Sequence, residues 1–144
     1  MGAGPSPLAR KLGVRAYMRV LALDPPPGFR DALAPLPEGA QVAEEPAAGG
    51  AFDVVIAFVE REVAVADALA LARAALSDGG TLWFAYPKGG SGVETDLSRD
   101  RGWEALTTAG LRPVSQVAVD DVWSALRFRP LGEVGSRRTR PRSA

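Results

Sequence analysis

Eight successive residues, Phe52 to Val59 (FDVVIAFV), constrain this chain more than any other stretch. They are largely β-branched and apolar, broken only by Asp53, and their length suits a strand. The run is far short of the roughly 18–20 apolar residues that span a bilayer. A strand with water on one face alternates apolar and polar positions; one apolar throughout is buried on both faces. The chain must therefore provide helices for two faces of a mostly parallel sheet. Arg19 to Asp24 (RVLALD) and Thr81 to Tyr86 have the same character and read as its companions.

The remaining elements can be placed around these strands. Ser6-Pro7 opens a short helix, with Ser at the N-cap, Pro in the first turn and Gly13 past the end. Pro25-Pro26-Pro27-Gly28 is a stiff turn into another short helix, whose inner face carries Phe29 and Leu33. Gln41 to Glu44 is a weak strand, and Glu45 to Ala51 a loop too short for a further helix. Val63 to Leu76 reads as a helix burying Val65, Leu69, Ala72 and Leu76, followed by a tight Asp78-Gly79-Gly80 turn. Asp100 is positioned to cap a helix reaching Thr108, with Trp103 and Leu106 packed inward. Val114 to Val119 and Trp123 to Arg129 then form an antiparallel hairpin about Asp120-Asp121. The expectation is an α/β fold with a three-layer open, mostly parallel sheet ending in that hairpin. Residues 1–5 read as a disordered lead, 6–130 as one domain and 131–144 as a basic disordered tail. The weak strand is joined to the strong one by roughly seven residues, fewer than a parallel crossover usually takes.

What the chain lacks limits its chemistry. It has no Cys and no His, which removes thiol nucleophiles, Ser-His relays, disulfides and the common zinc sets. Formal charge is zero, but Arg137, Arg138, Arg140 and Arg142 leave the body mildly acidic, without the basic face of a specific nucleic-acid binder. No secretory signal pattern is present, so a cytoplasmic setting is expected. Neither a metal nor a cofactor is called for by any motif.

Two resemblances sharpen this picture. Val20 to Asp24, Phe52-Asp53-Val54-Val55, Leu76 to Gly80 and the closing hairpin follow the order of a reduced class I methyltransferase, a Rossmann-like fold, over about residues 8–129. The segments Tyr86 to Lys88 (YPK), Thr95 to Glu104 (TDLSRDRGWE) and Val117 to Pro130 (VAVDDVWSALRFRP) resemble a family of small bacterial proteins of unknown function. That second likeness implies the same fold and a bacterial origin, and no activity. The methyltransferases hold their cofactor over a glycine-rich first turn. Here three prolines fill that turn, and lone Gly28 does not restore the motif. Glu44 or Glu45 stands where those enzymes hold ribose hydroxyls, yet the helix-strand unit that follows in them is missing.

Ligands of open α/β sheets bind beyond the carboxyl ends of the strands. That edge presents Asp24, Glu60 and Lys88. Lys88 with Gly89 and Gly90 reads as an anion cradle of backbone amides plus a point charge, or as a solvated loop. Asp96, Arg99, Asp100 and Arg101 read as an ion-pair cluster fixing that loop, or as plain solvated charge. Asp120-Asp121 is a carboxylate pair for a divalent cation or simply turn chemistry. Trp123 is read as either exposed or packed in an interface, which leaves a homodimer open; Arg127 and Arg129 read as the solvated face of their strand. The leading reading is a non-catalytic module binding an unidentified small molecule or protein. The alternative is a degenerate or unusual S-adenosylmethionine-dependent methyltransferase.

Overall fold

The computed structural model describes residues 4–46 and 51–132. Residues 1–3 of the expected lead, 47–50 of the loop before the strong strand, and 133–144 of the arginine tail lie outside them. Six strands form one sheet: β1 (Arg19–Leu23), β2 (Gln41–Ala43), β3 (Phe52–Phe58), β4 (Leu76–Pro87), β5 (Leu111–Ala118) and β6 (Trp123–Pro130). Their spatial order is β2-β1-β3-β4-β6-β5. Strands β2, β1, β3 and β4 run parallel, and β6 pairs antiparallel with both β4 and β5. The three-layer, mostly parallel sheet with a closing antiparallel pair is therefore present.

Four helices supply the cover that β3 demands. On one face α1 (Pro7–Leu12) and α2 (Phe29–Leu33) pack Leu8, Leu12, Phe29 and Leu33 against Val20, Val54, Ile56 and Trp83. On the other, α3 (Val65–Ala75) and α4 (Glu104–Thr108) pack Val65, Leu69, Ala72 and Leu106 against Leu21, Val55, Ala57 and Phe84. Successive residues of β3 thus feed opposite cores, which is why its sequence does not alternate. None of the described helices is long and apolar enough to cross a membrane.

Several expectations are corrected in detail. Asp78-Gly79-Gly80 is a bulge inside β4, not a turn before it. Phe52 pairs with Leu76 and Val54 with Thr81, so β4 carries extra residues against two steps of β3. The two glycines serve different ends there. Gly79 holds φ +76°, while a Cβ on Gly80 would meet the Asp53 carbonyl oxygen at 3.1 Å and that of Ser77 at 3.0 Å. Because the strand begins at Leu76, α3 ends one residue sooner and buries Ala75 in the place expected of Leu76. Asp100 caps nothing: α4 begins at Glu104, after Trp103. β5 starts at Leu111 and includes Pro113, tolerated because this strand is at the sheet edge and needs no donor there. Trp123 is not exposed. It is buried edge-on against Phe58, ring centroids 5.2 Å apart. The short link before β3 becomes reasonable because β2 is only three residues long.

Two side chains lock α1 to the rest of its face. The buried Ser6 hydroxyl donates to the Leu33 carbonyl at 2.7 Å and accepts from the Ala9 amide at 3.0 Å. At the other end the Trp83 indole N–H donates to the Leu12 carbonyl at 3.1 Å, satisfying an oxygen the helix leaves open. Replacing Ser6 by Ala removes a cap and strands a buried carbonyl. The expected loss is about 1–3 kcal/mol, read as a lower urea midpoint at unchanged slope.

Candidate functional site

The carboxyl edge of the parallel strands is built from four chain segments. β1 ends at Leu23, and Asp24 turns the chain sharply with φ +54°, a left-handed conformation rare for a residue with a side chain. Pro25 to Pro27 follow, then Gly28 at φ +89°. β2 delivers Glu44 and Glu45, and β3 delivers Phe58 and Val59. A cleft of about 310 Å3 opens between these ends and α3. It is lined by apolar Leu23, Phe58, Val59, Ala68 and Leu71 and by the carboxylates of Asp24, Glu44, Glu45 and Asp67. A neighbouring cleft of similar size runs along Pro25 to Asp31, includes Gly28 and again touches Glu44. Arg30 lines this second cleft, its Nε 2.8 Å from Glu44 and its terminal nitrogen donating to the Val42 carbonyl.

The residues expected at this edge do not all gather. Asp24 lines the main cleft and Gly28 the next one; neither Glu60 nor Lys88 lines either. Lys88 lies beside the β5–β6 turn, where its amide donates to the Val122 carbonyl at 2.7 Å. Its own carbonyl accepts from the Ser91 amide, so the loop closes on itself, with Gly89 and Gly90 exposed at its tip. The amides of Lys88 and Ser91 are thus engaged within the protein. Asp96 accepts the Glu62 amide at 2.7 Å, pinning the following loop to the 3-10 turn Glu62–Ala64 ahead of α3. Leu97 is buried, and the Trp103 indole donates to the Ser98 carbonyl at 2.7 Å. The loop is held by these contacts and by an exposed Arg61–Glu94 pair at 3.2 Å, while Arg99 and Asp100 are exposed at the tip of a tight turn between Ser98 and Arg101. Asp120 does turn chemistry: one carboxylate oxygen accepts the amides of Val122 and Trp123, both at 2.8 Å.

The sequence does not single out Asp67, nor a polar trio in which exposed Gln116 covers buried Tyr86 and Ser124. Asp67 lies in the first turn of the helix after β3, which in a parallel sheet returns to the carboxyl edge, and that position was the available signal. The trio is Tyr86, Gln116 and Ser124. The Gln116 amide donates to the Tyr86 hydroxyl at 2.9 Å and to Ser124 at 3.0 Å. Burial pushes the Tyr86 phenol up, against the opposing effects of the Ser124 hydrogen bond and the nearby Arg99 charge. It stays protonated at neutral pH, as a structural hydroxyl under the hairpin.

A family model described as a protein of unknown function, DUF3052, matches residues 29–131, most of the chain. The chain belongs to the DUF3052 family. Curated proteins provide no match. Among solved structures, this DUF3052 chain is similar to the N-methyltransferase NodS from Bradyrhizobium japonicum, at 17% identity and TM-score 0.54, covering 85% of this chain and 90% of that one. It is similar to a SAM-dependent methyltransferase from Thiobacillus denitrificans, in complex with S-adenosyl-L-homocysteine, at 12% identity and TM-score 0.55, covering 85% and 89%. A SAM-dependent methyltransferase from Aquifex aeolicus is similar at 13% identity and TM-score 0.51, covering 84% and 86%. At such identities the likeness is one of fold.

The residues at the carboxyl edge do not fit the cofactor that this fold holds elsewhere. Pro25, Pro26 and Pro27 carry no amide hydrogen, the Phe29 amide turns back to the Pro26 carbonyl, and Glu44 is engaged by Arg30. A backbone cradle for S-adenosylmethionine is missing from the first turn.

Near the same edge the Glu62 carboxyl faces that of Glu104, and its proton affinity is raised above the ordinary 4.5 by a hydrogen bond with Glu104, by the Glu104 charge, by burial and by the Asp96 charge. The raised value means that the folded state favours protonated Glu62. Its contribution is favourable at low pH and is lost as pH rises through the folded-state value, leaving repulsion at neutrality. Glu62→Gln is expected to melt above the native protein near pH 7, with the two curves converging towards about pH 4. An equal difference at both ends would show that the carboxyl pair is not its source.

Proposed function

We propose that this DUF3052 chain is a non-catalytic binding module. It uses the ligand edge of the methyltransferase frame for a small molecule bearing an ammonium or other cationic group. The observation that supports this most directly is the cleft between β1, β2 and α3, lined by Asp24, Glu45 and Asp67 together with Phe58, Val59 and Leu71. A lining of apolar side chains and a few carboxylates receives a cation with an aliphatic or aromatic body, and it repels phosphates. The absence of His and Cys fits a site that binds without proton relay or nucleophilic attack.

The second reading is a reduced S-adenosylmethionine-dependent methyltransferase. It draws on the fold likeness and on the acidic end of β2, and the prolines of the first turn oppose it. Calorimetry separates the two. With spermidine as the cationic probe, saturable binding is expected, weakened roughly fivefold or more by Glu45→Gln or Asp67→Asn as one opposing charge is removed. S-adenosylmethionine is expected to give no saturable heat below about 1 mM. Micromolar binding of S-adenosylmethionine, lost in a Glu44→Ala, Glu45→Ala double variant, would establish the methyltransferase reading instead.

A further inference from the structure

The opposite edge of the sheet, at the amino ends of the parallel strands, holds a cleft of about 440 Å3. One wall is the Ser77 to Gly80 bulge of β4. Arg10 and Arg15 reach it from either side of the α1 C-terminus, and Arg127 enters from β6. A second cleft, about 280 Å3, backs onto the same bulge and adds Arg73. The bulge is therefore ringed by guanidinium groups, although the body of the chain is acidic overall.

Arg127 distinguishes this edge from ordinary surface charge. It is half-buried in mid-strand, opposite Trp83 on one side and Ser115 on the other, neither of which is an anion. Its Nε is shut off from solvent without a hydrogen-bond partner, and no ion pair among the described residues engages it. Arg127 nevertheless lines the cleft, and with no ion pair among the described residues to neutralise it, its guanidinium charge is available to an oxyanion seated there. Two carboxylates share the larger cleft, so the ligand is more than a bare ion. Asp53 already accepts the Arg19 amide at 2.9 Å, and Asp78 is exposed on the bulge; both, with Thr81, can take hydroxyl donors. The volume lies within the range of small-molecule sites.

We infer that this cleft binds a phosphorylated small molecule with hydroxyl groups, its phosphate held by Arg127 and Arg15. The site is independent of the acidic cleft at the other edge and prefers the opposite charge. The Gly79 backbone gives the approach, since a Cβ there would meet nothing within 4 Å and the space beside it is open. Calorimetric titration with inorganic phosphate, ribose 5-phosphate and ribose tests it. Ribose 5-phosphate is expected to bind saturably and more tightly than phosphate, with no heat from ribose, and more weakly as salt is raised. Arg127→Gln is expected to weaken it roughly tenfold and Arg15→Gln roughly threefold, with Lys88→Ala without effect. Arg15 is exposed, so its variant decides the matter even where Arg127→Gln does not fold. The absence of saturable binding up to about 10 mM, or an affinity that Arg15→Gln leaves unchanged, would overturn the assignment.

Discussion

The structure depends on the burial of β3 from both sides. Val54, Ile56 and Phe58 serve one core and Val55, Ala57 and Val59 the other, all almost fully excluded from solvent. A strand of this kind cannot sit at an edge, so partners must flank it, and β1 and β4 do so in parallel. Parallel pairing in turn forces every connection to return to the amino end, which places α2 and α3 over the sheet and their preceding turns at the carboxyl edge. The geometry of both clefts follows from that single requirement. The carboxyl edge receives the chain's turns and their polar residues; the amino edge receives the strand entries, including the bulge.

Within this frame the small number of residues is met by shortening. β2 has three residues, and α2 and α4 have five each. Elements so short bury little area by themselves. They are held instead by individual side chains: Ser6 joins α1 to the end of α2, and Trp103 packs among Phe84, Tyr86 and Phe128 while its indole fixes the Ser98 carbonyl. Leu97 fills the space beside Gly102, where a Cβ would lie 2.3 Å from its side chain. Large aromatic groups therefore do for this chain what longer helices do for a larger one.

The fold was legible in the sequence because its signals are local and redundant. Apolar runs located β1, β3 and β4, and Ser6, Pro7 and Gly13 marked the bounds of α1. The errors occurred where tertiary pairing decides. Asp78-Gly79-Gly80 has the composition of a turn, and only the register against Phe52 and Val54 makes it a bulge. Trp123 was ambiguous until Phe58 supplied its partner. The candidate site was less legible, because a charged residue's sequence does not say which way its loop folds. Asp24 and Lys88 follow β1 and β4, the two strands that flank β3, at the same edge, yet Lys88 turns towards Val122 and Asp24 towards Glu44 and Asp67. Arg127 was read as solvated from its alternation with Leu126 and Phe128. That alternation correctly gave the face, but not that α1 and the β4 bulge would partly enclose it.

The distribution of charge departs from what open α/β sheets commonly carry. In open α/β sheets the carboxyl edge commonly meets anionic groups, through glycine-rich turns and free amides. Here prolines occupy that turn and carboxylates surround the cleft beside it, whereas the guanidinium groups stand at the amino edge around two glycines. The glycine-and-cation chemistry suited to an oxyanion is present in the molecule, at the opposite end of β4 from where the fold would place it. Fold likeness therefore identifies the scaffold, and the placement of Asp24, Glu45, Asp67 and Arg127 determines what each edge can hold. On the two proposals the edges take ligands of opposite charge, separated by a core packed on both faces of β3.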